Sequence, residues 1–311
     1  MAKHLNERTA IVTGGARGVG RAIAESLAAE GANVVIVDNG AAINGEAEAP
    51  DLAEHAAAEM GGTVVGLAAD IADPETSARA VALARERFGA LDIVVNNAAI
   101  LRDAFVFKGQ AGDWDAVLAA NLSGAFYLLA SATPVLREHA KEGRGGGQWG
   151  RIVNIVSTAG LYGNYGQSPY ASAKAGLVGL TRVAALDMAR SGATCNAVAP
   201  FAATRVTETI KPANEAQESY KKQALSVPAH HVATLVSYLC SDAAAHVSGQ
   251  VFGARGREVF LFSQPRPVNR IVQTDEDWTI DSLAPAVEQE LASQFTALET
   301  DLESFDTEPV I

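Results

Sequence analysis

The chain is short of cysteine, of basic residues and of long apolar runs, and each shortage closes off a class of protein. Its two cysteines, Cys195 and Cys240, cannot build a disulfide framework and fit a reducing compartment. Lys and Arg number 24 against 36 Asp and Glu, a formal net charge of −12. Binding a nucleic-acid backbone needs a basic stripe, so no nucleic-acid partner is expected. No apolar run reaches the ~18 residues of a membrane span. The N-terminal residues Met1 to Arg8 lack the apolar centre of a secretory signal. A cytoplasmic location without membrane association is expected. There is no His-Glu-x-x-His, and the neighbouring His230 and His231 should diverge on a helix, so no metal is expected.

What is present is a packed core and an uneven charge. Hydrophobic residues make up 48% of the chain and mean hydropathy is +0.09, enough to exclude wholesale disorder. Residues 263–311 carry 2 basic and 11 acidic side chains, so −9 of the −12 belongs to them. The expected division is a domain over 1–262 and an acidic C-terminal extension over 263–311.

Short β-branched runs alternate with Ala-rich helical stretches along the first part. The runs are Thr9–Thr13, Asn33–Val37, Thr63–Ala68, Leu91–Val95, Arg151–Val156 and Ala193–Val198. Their length suits strands buried on both faces. Helical patterns fall near 19–30, 50–60, 74–88, 112–140, 169–191 and 228–240. Strict alternation predicts βαβ crossovers, hence a mostly parallel α/β sheet of about seven strands with helices on both faces. The 39–50 stretch reads as a loop, 201–226 as a mobile helical lid, and 141–150 as a glycine-rich loop.

The first strand runs into Thr13-Gly-Gly-Ala-Arg-Gly-Val-Gly20, and a helical pattern follows at once. Gly14 permits the tight turn, Gly18 close backbone approach, and Gly20 close helix–strand packing. A diphosphate would sit on the helix start near Val19. Asp38 ends the second strand, where a carboxylate can accept both ribose hydroxyls and repels a 2′-phosphate. Arg17 argues for the phosphate. The carboxylate should prevail, which favours NAD over NADP.

Tyr170-Ala-Ser-Ala-Lys174 places a phenol and an ammonium on one helix face. The cation should favour the phenolate and lower the Tyr170 pKa. Ser157 closes the fifth strand at the end where ligands meet an open sheet. Asn121 lies among apolar neighbours, either as a core amide serving backbone groups or as part of a site. Cys195 and Cys240 read as core residues.

Together the glycine turn, Asn96-Asn-Ala-Ala99, Asn121, Ser157, Tyr170 and Lys174 resemble the short-chain dehydrogenase/reductase superfamily over about residues 5–253. The resemblance implies a Rossmann-type doubly wound fold and a dimer or tetramer. It implies Tyr170 as general acid/base, Ser157 holding the substrate oxygen, Lys174 on the nicotinamide ribose, and Asn121 anchoring a relay water. Asp70 and Ile71 would lie by the adenine, and Asn96 and Ala98 along the cofactor. Two departures stand out: Ala99 and Phe201 replace the family's usual glycines. Pro200 and Phe201 would border the nicotinamide, with Phe201 at the substrate mouth.

About a third of the chain is similar to a narrower group, the (3R)-hydroxyacyl-CoA dehydrogenase part of multifunctional enzyme type 2 and its bacterial relatives. The segments are Ala199–Thr207, the insertion before Arg151, and Ser248–Phe252. That similarity implies a secondary alcohol or ketone of hydroxyacyl-CoA or steroid type. Arg102, Lys108, Arg205, Lys211, Lys221 and Lys222 would meet a CoA, or simply be solvated. Leu161, Tyr162, Phe201 and the 204–222 lid would wall the substrate. An NADPH-dependent ketone reductase and a catalytically silent nucleotide sensor are the alternatives. In the tail, Leu283, Val287, Leu291, Phe295, Leu298 and Leu302 form an apolar stripe that Ser282 could cap. It either packs on its own subunit, clasps a neighbour, or stays solvated.

Overall fold

The structure is a computed structural model that describes residues 3–143, 149–209, 212, 215–304 and 307–311. The segment 144–148 of the glycine-rich insertion, Lys211, and the side chain of Leu302 therefore lie outside the described residues.

The elements follow the expected alternation: β1 (Thr9–Thr13), α1 (Gly18–Ala29), β2 (Asn33–Asp38), α2 (Leu52–Met60), β3 (Val64–Ala68), α3 (Pro74–Phe88) and β4 (Ile93–Asn96). Next come α4 (Ala111–Leu118), α5 (Gly124–Lys141), β5 (Arg151–Ile155), α6 (Ala159–Tyr162), α7 (Ser168–Met188) and β6 (Thr194–Phe201). Then follow α8 (Arg205–Thr209), α9 (Glu215–Ser226), α10 (His230–Cys240), β7 (Val251–Arg255), β8 (Glu258–Phe262), α11 (Ile280–Glu290) and α12 (Asp301–Ser304). Local chemistry explains the boundaries. Asp73 caps α3 by accepting from Glu75 N, Pro74 takes the first turn where no N–H is needed, and Gly89 ends the helix at φ 77°.

The sheet order is β3-β2-β1-β4-β5-β6-β7-β8. All neighbours are parallel except β7 and β8, where Arg255 and Glu258 face each other across a hairpin. The expected seven strands are thus eight; the short polar Gly256–Arg257 turn concealed an antiparallel edge strand. β1 pairs with β2 on one side (Val12 with Ile36) and β4 on the other (Val12 with Val95). The strand order reverses there, and the crevice of a doubly wound sheet opens at such a point.

Both faces of the sheet are covered. Ile23 and Leu27 of α1 and Val236 and Leu239 of α10 pack with Val12, Ile36 and Val95 on one face. Leu128 and Leu136 of α5, Ala84 of α3 and Met188 of α7 pack with Ile11, Val35 and Val94 on the other. Each such buried aliphatic contributes roughly 1.5–3 kcal/mol. By length and composition, 111–141 would suffice to cross a membrane. Its apolar residues instead serve as core: Leu128, Leu129, Ala132, Val135 and Leu136 face the sheet.

Two compact units emerge: Met1–Phe262 with Thr300–Ile311, and Ser263–Glu299. The last twelve residues return to the first unit instead of belonging to a 263–311 extension. Within the second unit α11 is capped by Thr279, not Ser282. Ser282 is the third helical residue, and its backbone N–H and hydroxyl complete a capping box with Thr279. The helix ends at Glu290, so the apolar stripe up to Leu302 is not one helix.

Candidate active site

A cleft opens at the carboxyl ends of β1, β2, β4, β5 and β6, and the glycine turn forms part of its wall. Gly14 has φ +61°, and a Cβ there would come within 2.9 Å of the Ala98 Cα. A Cβ on Gly20 would lie 2.1 Å from the Gly14 carbonyl oxygen and 2.4 Å from Asn97 Nδ2. The turn therefore exists only with glycine at both places. Asn97 locks it: its amide Nδ2 donates to the carbonyls of Thr13 (2.9 Å) and Gly14 (3.0 Å), and its N–H donates to Thr13 Oγ1 (2.9 Å). The first N–H groups of α1, from Gly18, Val19 and Gly20, stand at the cleft without helical acceptors. This cradle fits a dinucleotide diphosphate.

Asp38 stands at the end of β2 in the same cleft. Its Oδ2 accepts from Ala16 N (3.2 Å) and its Oδ1 from Gly40 N (2.9 Å), which fixes the carboxylate toward the turn. Arg17 reaches over the 39–50 loop. It donates to Glu48 at 2.5 Å and to the Gly40 carbonyl at 3.1 Å. Arg205 of α8 crosses from the other side and donates to the Ala41 carbonyl at 3.2 Å, with Glu48 4.0 Å away. Burial lowers the Arg205 pKa first, and Arg17 adds to this. Asp70, Ile71, Ala98 and Pro200 line the cleft as expected.

At the other end of the cleft stand Ser157, Tyr170 and Lys174. Ser157 Oγ accepts from Ala159 N at 3.2 Å, and its hydroxyl acts on the Tyr170 phenol, favouring the ionised form. Lys174 Nζ donates to the Ile155 carbonyl at 2.7 Å and sits 5.7 Å from the Tyr170 ring centroid. The expected drop in the Tyr170 pKa does not occur. Burial pushes the phenol up to about 12, and Asp103 and Asp301 add to the rise against the bond from Ser157. Burial also pulls Lys174 down to about 7, so the ammonium offers the phenol little charge.

Three expected site residues are placed differently. Asn96 does not line the cleft; it is buried in β4 and donates to Asn154 Oδ1 at 2.8 Å. Asn154 in turn donates to Thr181 Oγ1 on α7 at 2.8 Å. Asn97, the next residue, is the one that reaches the cleft. Phe201 is buried on the far side of β6, while Pro200 and Ala202 face the cleft. Strand alternation turns its ring away. Asn121 sits in a π turn, Ala119–Ser123, that joins α4 to α5. Its Oδ1 accepts from Ile100 N (2.8 Å) and its Nδ2 donates to Ile100 O (2.9 Å). The side chain holds Ile100 at the cleft wall, as the core-amide alternative describes.

Arg102 pairs with Asp113 (3.2 Å) and the Asn44 carbonyl, and Lys221 donates to the Glu208 carbonyl (2.8 Å). Lys108 lies over the Phe107 ring, and Lys222 is exposed. Leu161 and Tyr162 are half-exposed on α6. The His230 and His231 rings do not diverge; their centroids are 4.1 Å apart. No cluster of three His, Cys, Asp or Glu occurs among the described residues. Thr204 and Thr207, from the segment expected to wall the substrate, line the cleft, and Glu48 bridges its two arginines. Sequence reasoning missed Glu48 because only the folded loop brings it there.

Residues 8–218 match the family model described as short chain dehydrogenase. The chain is 41% identical over 274 residues to a hydroxyacyl-CoA dehydrogenase of Mycobacterium tuberculosis, covering 88% of this chain and 85% of that one. It is 35% identical over 252 residues to peroxisomal multifunctional enzyme A of Dictyostelium discoideum, covering 80% of this chain and 53% of the other. A crystal structure of a short chain dehydrogenase from Mycobacterium avium superposes with a TM-score of 0.80 at 34% identity, covering 96% of this chain and 99% of that one.

Proposed function

This chain belongs to the short chain dehydrogenase family and is an oxidoreductase acting on CH–OH groups, and we propose that it uses NAD to interconvert a 3-hydroxyacyl-CoA, or a similarly apolar steroid-type alcohol, with its ketone. The observation that carries this reading is the meeting of the Ser157–Tyr170 pair with the glycine cradle in one cleft. The nicotinamide, when bound, accepts or returns the hydride. The chain's own residues do the rest. Tyr170 holds the proton that leaves or enters the substrate oxygen. Ser157 orients that oxygen by hydrogen bonding, Lys174 meets the nicotinamide ribose, and Asn121 keeps the Ile100 wall in place. Asp38 would accept from the adenosine ribose, which supports NAD.

The CoA thioester is supported by the name of the Mycobacterium tuberculosis relative. A homo-oligomer belongs to the same proposal, supported by the exposed Phe126, Val183 and Leu186 on α5 and α7. A second reading, an NADPH-dependent ketone reductase, is favoured by one observation: Arg17 and Arg205 both approach the Asp38 end of the cleft. A spectrophotometric screen of NADH and NADPH formation across 3-hydroxyacyl-CoAs, hydroxysteroids and short polyols decides between them. A higher kcat/KM with NADP refutes the cofactor reading, and activity confined to polyols refutes the substrate reading.

A further inference from the structure

The last residues of the chain have no part in the reading above, yet they are bound into the catalytic unit. Arg255 of β7 donates to the Thr307 carbonyl (2.8 Å) and to its hydroxyl (2.7 Å). Arg257 N donates to the Val310 carbonyl at 2.7 Å, and Val310 N donates to Glu258 Oε2 at 3.3 Å. Glu258 is itself paired with Arg255 at 2.8 Å. These bonds fold 307–311 along the β7–β8 hairpin, and α12 packs on α9. At the start of α12 the Asp301 side chain is buried, and its Oδ2 accepts from Thr158 Oγ1 at 2.5 Å.

Thr158 immediately follows Ser157 and is buried as well. Its carbonyl accepts from Leu161 N (2.8 Å) and Tyr162 N (2.9 Å), so it organises the turn that opens α6 and carries the Ser157 hydroxyl. A carboxylate 143 residues away in the chain thus fixes the residue beside the one whose hydroxyl acts on the phenol. We propose that Asp301 is a positioning residue for the Ser157–Tyr170 pair, acting through the Thr158 hydroxyl.

Electrostatics agrees with the geometry. A buried carboxylate is costly to keep, and a neutral acceptor would hold the hydroxyl at less cost. The charge here has a second effect, on the phenol. Among the described residues, the titratable groups around Tyr170 are Lys174 on its own helix, Asp103 from the segment before α4, and Asp301. Both carboxylates oppose ionisation of the phenol, in addition to its burial.

Only the kinetic arm of the test rests on the oxidoreductase reading. In the full-length protein, Thr158→Val and Asp301→Ala should each lower kcat about tenfold or more, with cofactor Kd within about twofold of the parent. Thr158→Ser, which restores the hydroxyl, should recover kcat. Asp301→Asn keeps an acceptor and removes the charge. It should move the Tyr170 ionisation midpoint down, by less than burial raises it. Carbon-13 NMR of ring-labelled tyrosine follows that midpoint, with Tyr170→Phe identifying the signal. This arm needs no substrate: a shifted midpoint in a protein inactive on every alcohol would support the positioning role and sink the dehydrogenase reading. Conversely, an active enzyme whose kcat ignores Thr158→Val, or whose Tyr170 midpoint ignores Asp301→Asn, overturns the proposal. A loss of Tm alone, with both readouts unmoved, overturns it too.

Discussion

Lys174 Nζ donates to the carbonyl of Ile155 at 2.7 Å, so the lysine one helical turn beyond Tyr170 is tied to the end of β5 rather than to the phenol. The amine is buried, and its pKa falls to about 7 from the usual 10.5. Below about 7 the folded and unfolded chains both hold this proton, and the folded chain bears the full cost of a buried cation. Between about 7 and 10.5 only the unfolded chain holds it, so stability rises with pH across that window. Stability from this group is complete above the unfolded value and is lost as pH falls through the folded one. Replacing Lys174 by Met should therefore raise Tm at pH ~6 by on the order of a few degrees, and the gain should vanish by pH ~10. Calorimetry at the two pH values checks this; an equal gain at both would refute the assignment.

The Tyr170 phenol, held near 12, is a proton donor over the ordinary pH range. Ketone reduction should run with little pH dependence on its acid side. Alcohol oxidation, which needs the phenolate, should climb about tenfold per pH unit through the alkaline range. Tyr170→Phe should reduce turnover by about three orders of magnitude in both directions while cofactor affinity stays near the parent value. Stopped-flow rates beside fluorescence titration of the cofactor separate the two effects.

Asp38 is the residue on which cofactor choice turns. Its two oxygens already accept backbone N–H groups from Ala16 and Gly40, so it is oriented before any ligand arrives. Asp38→Ala should weaken NAD binding about tenfold and narrow the gap to NADP. Arg17→Ala in that background should reopen the gap. Isothermal titration with both dinucleotides measures it; unchanged affinities would remove Asp38 from the site.

Gly20→Ala probes the cradle directly. The added methyl would lie 2.1 Å from the Gly14 oxygen, a distance no relaxation of a side chain can relieve. A cost of roughly 1–3 kcal/mol is expected for such overpacking, together with loss of dinucleotide binding. Gly62→Ala serves as the control, since a Cβ there meets nothing within 4 Å. Equal behaviour of the two variants in thermal shift with and without NAD would argue against the cradle.

The parts of the site that were readable from sequence are those where one residue type has one mechanical use. Gly14 and Gly20 in a strand-to-helix turn, Asp38 at a strand end, and Ser157, Tyr170 and Lys174 are of this kind. Misplacements arose where a single step of strand parity decides the outcome. β4 ends with the Asn96 side chain turned toward β5, which hands the cleft to Asn97. β6 runs on to Phe201, so the ring faces away and Pro200 faces in. Helical spacing put Tyr170 and Lys174 on one face but carried no information about burial, which decides both pKa values. The Arg17–Glu48–Arg205 arrangement and the contact of Asp301 with Thr158 join segments far apart in the chain, and no local pattern announces them.

The amide chain from Asn96 through Asn154 to Thr181 sets the angular setting of α7. At about 100° per residue, the eleven residues from Tyr170 to Thr181 bring those two side chains back to nearly the same heading. A hydroxyl pinned to the sheet interior about two-thirds of the way along the helix thereby stops the whole rod from rotating about its axis. A slip of one residue would swing the phenol about a quarter-turn out of alignment with Ser157. Asn96, buried in the sheet, works as the key that keeps the rod in its slot.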